Sequence, residues 1–187
     1  MLAVDYMLNK PQGVRSAILA GPALSIPRWQ RDADSLRATL PDSVQAVLAQ
    51  HEQAGTLDAP EYKGATMEYY MRFLLLKNNP WSSDVDSTLA NSNESVYATM
   101  WGPNEFNVTG TLKTYDRTNR LGELALPVLF ICGRFDEATP ASAAYYQSLT
   151  PNAKLAVLEN SAHLAMQDEP ERYVQTLRDF LREVESK

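Results

Sequence analysis

The chain has 187 residues, 44% hydrophobic and 21% charged, which is enough apolar material for a packed core in an α/β domain carrying an insertion. A formal charge of −6 and a pI near 4.9 argue against nucleic acid or an anionic membrane as partner, and no run approaches the roughly eighteen apolar residues of a membrane span. One cysteine excludes an internal disulfide, two histidines and one cysteine are too few soft ligands for structural zinc, and no cofactor is implied. The N-terminus lacks the charged region and cleavage site of a signal peptide, so the expected location is the cytoplasm.

The opening residues MLAVDYML follow a helical pattern with no N-cap and no preceding strand. Gly13 then introduces an apolar stretch whose residues 15–19 are expected to form a strand. From Ile26 and Pro27 to about Asn107 the character changes to polar, periodic helices: RWQRDADSLRATL, PDSVQAVLAQHEQAGTL, PEYKGATMEYYMRFLLL and DVDSTLANSNESVYATM, punctuated by Pro41, Pro60 and Pro80. An insertion of this kind after a strand reads as a helical cap over an active site. Past a bridge at 111–123, residues 128–132 form an unbroken apolar run bounded by Gly133, which suits a strand buried on both faces of a parallel sheet. Thr139 and Pro140 announce a helix, and 154–158 read as a third parallel strand. Residues 169–185 read as an amphipathic helix with Tyr173, Leu177, Phe180 and Leu181 on one face. The organisation is therefore core (1–26), helical cap (27–107) and core (108–187), with a sheet of about three parallel strands.

Asp136 falls just past the C-terminal end of the second strand, the edge where open α/β sheets gather ligands and catalytic groups. His163 follows the third strand in ENSAH, 27 residues on. A right-handed β-α-β crossover of that length sets the two loops side by side. There a carboxylate can fix the imidazole tautomer and stabilise the imidazolium formed when it takes a nucleophile's proton. The order nucleophile, acid, histidine belongs to the α/β-hydrolase fold, whose nucleophile sits upstream on a G-x-S-x-G turn. No such turn occurs in these 187 residues, and Cys132 lies inside the buried strand as packing.

The segments MLAVDYMLNKPQGVRSAILAGP, YATMWGPNEFNVTGTLKTYD, LPVLFICGRFDEATP and SAHLAMQDEPERY resemble the C-terminal two-thirds of the proline iminopeptidases, serine aminopeptidases of the α/β-hydrolase fold. The likeness is strongest from Tyr97 to Tyr173. It implies a partial α/β-hydrolase fold, Asp136 and His163 as the catalytic acid and base, and a nucleophilic Ser in a G-x-S-W-G-G turn just ahead of Met1. It also implies that Glu105, in the G-P-N-E-F motif, and Glu137, directly after Asp136, bind the free α-amino group of a peptide substrate. Two carboxylates near the scissile bond would compensate a cationic amine and admit only the first residue of a peptide. Trp101, Tyr97 and Phe106 flank Glu105 and offer apolar walls for a proline ring. Residues 76–86, LKNNPWSSDVD, depart from the R-x-x-x-W-P pattern associated with the cap of that family.

Two other readings stay open at this point. One is a non-catalytic binding or regulatory protein that keeps the amine site. The other is a different α/β-hydrolase, such as an amino-acid amidase or esterase, which would gain nothing from Glu105 and Glu137. The 187 residues are expected to be inactive alone, and the first strand is expected to present an open edge suited to self-association.

Overall fold

The computed structural model describes residues 1–76 and 82–186. The expected break at Pro80, and part of the 76–86 segment, lie outside the described residues.

Three parallel strands form one sheet in the order β1-β2-β3: β1 (Ala17–Ala20), β2 (Val128–Gly133) and β3 (Ala153–Leu158). Ala17 pairs with Val128, and Val128 with Ala153, so the three C-terminal ends lie along one edge. Every residue of β2 is buried, as its run of branched and aromatic side chains requires of a central strand. Strand β1 begins two residues later than expected, and among the described residues it pairs only with β2.

Helix α1 (Leu2–Leu8) packs Val4, Met7 and Leu8 into the sheet core with Leu19, Val128 and Phe130. Between β1 and β2 come α2 (Ile26–Arg37), α3 (Asp42–Ala54), α4 (Pro60–Phe73), α5 (Ser83–Ala90) and α6 (Glu94–Met100). Pro27 and Pro60 stand in the first turns of α2 and α4, where a missing N–H costs nothing, and Gly55 closes α3 at φ 68°. These helices make their own core around Leu48, Tyr62, Tyr69, Phe73 and Phe106. A smaller cluster of Ile26, Trp29, Trp101, Tyr115 and Ala138 joins the helices to the sheet edge. The chain enters and leaves this region through backbone bonds from Ile26 N–H to Tyr115 O (2.8 Å) and Arg117 N–H to Leu24 O (2.9 Å).

The stretch DVDSTLANSNESVYATM forms two helices rather than the single expected one. Asn91 ends α5, and the Asn93 side chain accepts the Val96 N–H (3.0 Å), so capping starts α6 afresh. After a 3-10 turn (Thr118–Glu123) and β2 come α7 (Pro140–Leu149), β3, the short α8 (Ala165–Asp168) and α9 (Pro170–Glu185). On α9, Tyr173 and Leu177 pack against Ile131 and Leu158, and Phe180 is buried. Leu181, on the same face, stays 40% exposed. No helix among the described residues is long and apolar enough to cross a membrane.

Candidate active site

Asp136 sits in the turn after β2 with its side chain fully buried. Three N–H groups converge on its carboxylate. His163 Nδ1 donates to Oδ1 at 2.8 Å, Ala138 N–H to Oδ1 at 2.7 Å and Gly133 N–H to Oδ2 at 3.4 Å. With the carboxylate as acceptor, His163 must carry its proton on Nδ1, which turns Nε2 away from the acid. Nε2 makes no hydrogen bond among the described residues, and the side chain is 27% exposed.

Two glycines allow this approach. Gly21, just past β1 at φ 48°, lies against the imidazole: a Cβ there would stand 2.6 Å from His163 Cε1. Gly133 lets the end of β2 run against the histidine loop, where a Cβ would lie 2.2 Å from Ser161 O. Neither contact was read from the sequence.

The end of α4 closes the site from the helical side. Phe73 O accepts both Glu137 N–H (3.3 Å) and His163 N–H (3.1 Å), and Leu74 O accepts Leu164 N–H (2.9 Å). Buried Asp168 bridges the same seam, its Oδ2 taking Ala162 N–H at 2.9 Å and Leu76 N–H at 3.4 Å. Its neighbour Glu169 accepts Asn160 N–H (2.8 Å) and the Ser161 hydroxyl (2.6 Å). Sequence reasoning missed both acids, whose position before Pro170 suggested only a helix start. Asp168→Ala leaves two N–H groups without their acceptor and is expected to lower stability by about 1–3 kcal/mol. Asp168→Asn, which keeps one oxygen for that place, should retain most of it. Urea unfolding of the two variants checks the order.

Glu137 is 2% exposed, and neither carboxyl oxygen has a hydrogen-bond partner. Trp29 ties Glu105 to the same place: its Nε1 donates to Glu105 O at 2.7 Å while its ring meets the His163 ring edge-on at 6.3 Å. Trp101 packs edge-on against Trp29 at 5.3 Å, and Tyr97 packs against the same cluster. The Trp101 Nε1 and the hydroxyls of Tyr97 and Tyr69 are buried without partners. Phe106 is placed differently from these. It is fully buried in the helical core, 4.7 Å from the Tyr69 ring and under the Arg37 guanidinium.

Burial opposes charge on His163, but the Asp136 carboxylate, by charge and hydrogen bond, and then Glu137 and Glu105 outweigh it and raise the pKa to about 10. Burial pushes the Glu137 carboxyl well above the ordinary range, helped by Glu105 and opposed by His163. Glu105 is raised by burial, against the pull of the Tyr97 hydroxyl and His163. Tyr69 and Tyr97 thus act on the two acids by proximity, without a hydrogen bond of standard geometry. Burial, with Asp136 adding, lifts the Cys132 thiol to about 12, which leaves it unreactive. Among the described residues no group of three or more His, Cys, Asp and Glu side chains is placed to hold a metal ion.

A family model described as alpha/beta hydrolase fold matches residues 1–170. The chain belongs to the α/β-hydrolase fold family. This α/β-hydrolase chain is 42% identical over 185 residues to the proline iminopeptidase of Heyndrickxia coagulans, covering 98% of itself and 64% of that protein. Among solved structures, VinJ superposes with a TM-score of 0.94 at 36% identity, over 98% of this chain and 62% of VinJ. The proline iminopeptidase of Mycobacterium smegmatis gives a TM-score of 0.90 at 33% identity, over 98% of this chain and 62% of its own. The hydrolase chain thus spans just under two thirds of the length of the curated relatives it matches.

Proposed function

We propose that the chain carries the acid–base and amine-reading parts of a serine aminopeptidase that releases an N-terminal residue, preferably proline, from peptides. The observation that carries this is a buried Glu137 with both oxygens unpartnered, next in sequence to an Asp136 bonded to His163 at 2.8 Å. A carboxyl group desolvated at that cost calls for a cationic partner from outside the chain, and the amine of a peptide substrate is one. The names of the relatives support the same class.

In this reading Asp136 holds the Nδ1 proton, and Nε2 takes the proton of a serine hydroxyl as that oxygen attacks the carbonyl carbon of the first peptide bond. The imidazolium returns the proton to the departing amine, and the acyl group leaves by the same steps run with water. Glu105 and Glu137 hold the substrate ammonium, while Trp101 and Tyr97 wall the first side chain. Phe106 sits behind them and keeps Glu105 in place, since Phe106 N–H donates to Asn104 Oδ1 and Phe106 O accepts from Gln30 Nε2. The serine comes from polypeptide outside these 187 residues, which alone do not hydrolyse peptides.

The test joins the chain to the part of the Heyndrickxia coagulans relative that it does not match and compares a prolyl with an N-acetylprolyl chromogenic anilide. The free amine should favour turnover by about a thousandfold or more, because the acetylated analogue leaves the buried Glu137 carboxyl unpaired. Equal turnover of the two anilides overturns the aminopeptidase reading.

A further inference from the structure

Trp29 is 5% exposed near the start of α2, and an indole buried that deeply calls for a partner for its one N–H. The partner is Glu105 O at 2.7 Å, while the ring meets the His163 ring edge-on at 6.3 Å. A single rigid side chain therefore spans from the cap segment that carries Glu105 to the imidazole. The next residue repeats the hold: Gln30 Nε2 donates to Phe106 O at 2.8 Å, and Gln30 Oε1 accepts Val108 N–H at 3.1 Å. From α4, the Tyr70 hydroxyl accepts Glu105 N–H at 3.4 Å. Residues 105–108 belong to no helix or strand, so these side-chain bonds give the segment its place. The same helix is fastened to the acid loop. Arg28 Nε donates to Ser142 Oγ at 2.6 Å, and Asp32 Oδ2 accepts the Thr139 hydroxyl at 2.9 Å and that of Ser142. Thr139 caps α7 and stands two residues after Glu137. The backbones of both glutamates are registered on α2, Glu105 through Trp29 and Gln30, Glu137 through Arg28 and Asp32.

Packing alone does not require this arrangement. Trp29 fills a cluster with Ile26, Trp101, Tyr115 and Ala138, which a phenyl ring would fill in large part, and the N–H bond to Glu105 O is what a phenyl ring would lack. We propose that Trp29 is a positioning residue that determines specificity: its indole N–H fixes the distance between the Glu105 end of the amine site and His163, so that the bond after the first residue, and no later one, is brought to the imidazole. The proposal rests on the amine-binding reading of Glu105 and Glu137. Trp29 acts through Glu105 and does not have to touch the substrate. Without the N–H, both acids still bind an amine, but residues 105–108 are free to shift, and a misplacement on the order of 1 Å can cost about a hundredfold in rate. The loss falls on kcat rather than KM, because binding survives and alignment does not. A substrate with a blocked amine never uses this register and is indifferent to it.

The test uses the chain joined to the unmatched part of the Heyndrickxia coagulans relative, with the same prolyl and N-acetylprolyl anilides. Trp29→Phe keeps a ring in the cluster and removes the donor. The prolyl kcat should fall by about 10–100-fold with little change in KM, while N-acetylprolyl turnover stays where it was. The ratio of the two activities narrows by the same factor, and that ratio does not depend on how much of the protein is folded. Gln30→Ala, which releases Phe106 O and Val108 N–H and leaves the Trp29 bond in place, should narrow the ratio in the same direction, and it carries the test if Trp29→Phe does not fold. In a Glu105→Gln background, Trp29→Phe should leave the ratio where Glu105→Gln alone has put it. A parent that turns over both anilides equally removes the amine reading, and the proposal falls with it. A discriminating parent whose ratio is unmoved in Trp29→Phe, or in Gln30→Ala where Trp29→Phe fails to fold, overturns the proposal and leaves the amine reading standing. A narrowing carried by KM alone, or one that persists undiminished in the Glu105→Gln background, overturns it as well.

Discussion

Gly21→Ala is expected to destabilise the chain by about 2–4 kcal/mol and to separate His163 from Asp136. Gly21 takes φ 48° directly after β1 and donates its N–H to Ile131 O at 2.9 Å, so its backbone is held in place by the sheet. A Cβ at this position would lie 2.6 Å from His163 Cε1 and 2.8 Å from Nδ1. The ring cannot yield toward Asp136, already 2.8 Å away, so it must turn and give up that bond. Gly55→Ala is the matched control: φ is 68°, and no atom lies within 4 Å of the added methyl group. It should cost only the strain of a left-handed alanine, about 1 kcal/mol. Urea unfolding of both variants, with the His163 ring signals followed by NMR, separates strain from contact. Equal losses for the two would show that the imidazole does not depend on the empty space at position 21.

The same geometry explains why the site is a meeting of elements rather than a feature of the sheet alone. The acid and the imidazole come from loops after β2 and β3, but the bonds that set their depth come from the end of α4 through Phe73 O and Leu74 O. Any movement of α4 relative to the sheet therefore moves Glu137 and His163 together.

Much of this arrangement was legible in the chain, for identifiable reasons. Residues 128–132 and 154–158 are apolar runs of strand length separated by one helix, and a parallel crossover has one favoured hand, so Asp136 and His163 had to share an edge. The long insertion was visible from its change to helical periodicity. Contacts between residues distant in sequence were not. Trp29 lies in a stretch read only as a periodic helix, yet its ring meets His163 edge-on and its indole N–H holds the Glu105 backbone. Asp168 and Glu169 look like the acidic start of α9, yet they hold the histidine loop by its N–H groups. Glu137 shows the opposite failure: spacing alone would place a glutamate in solvent, and only the likeness to the proline iminopeptidases suggested a role before its burial was seen.

The second large effect expected is on stability as a function of pH. His163 has an ordinary value of 6.5 and a folded value of about 10, so between these limits the folded chain binds more protons than the unfolded one. The free energy of unfolding therefore falls as pH rises through that window, and the contribution of the imidazolium is complete below 6.5. Its upper limit is roughly 4–5 kcal/mol, from about 1.4 kcal/mol per unit. Glu137, raised from 4.5 by burial, adds a slope of the same sign from the ordinary carboxylate range upward. Groups with lowered values act in the other direction. The Met1 amine, lowered from 8.0 by burial, favours the folded state as pH approaches 8, and Asp116, held below 3.8 by the Thr118 and Ser25 hydrogen bonds and Arg117 despite burial, does so in strong acid. Maximum stability is thus expected at about pH 5–6, with a decline into the alkaline range. Urea unfolding followed by tryptophan fluorescence, with Trp29 and Trp101 both buried, reads this directly. His163→Gln should be less stable than the parent at pH 6 by a few kcal/mol, and the two should converge near pH 10, because above that value the parent histidine is neutral as well. Parallel curves across the whole range would mean that the three acids do not hold a proton on His163.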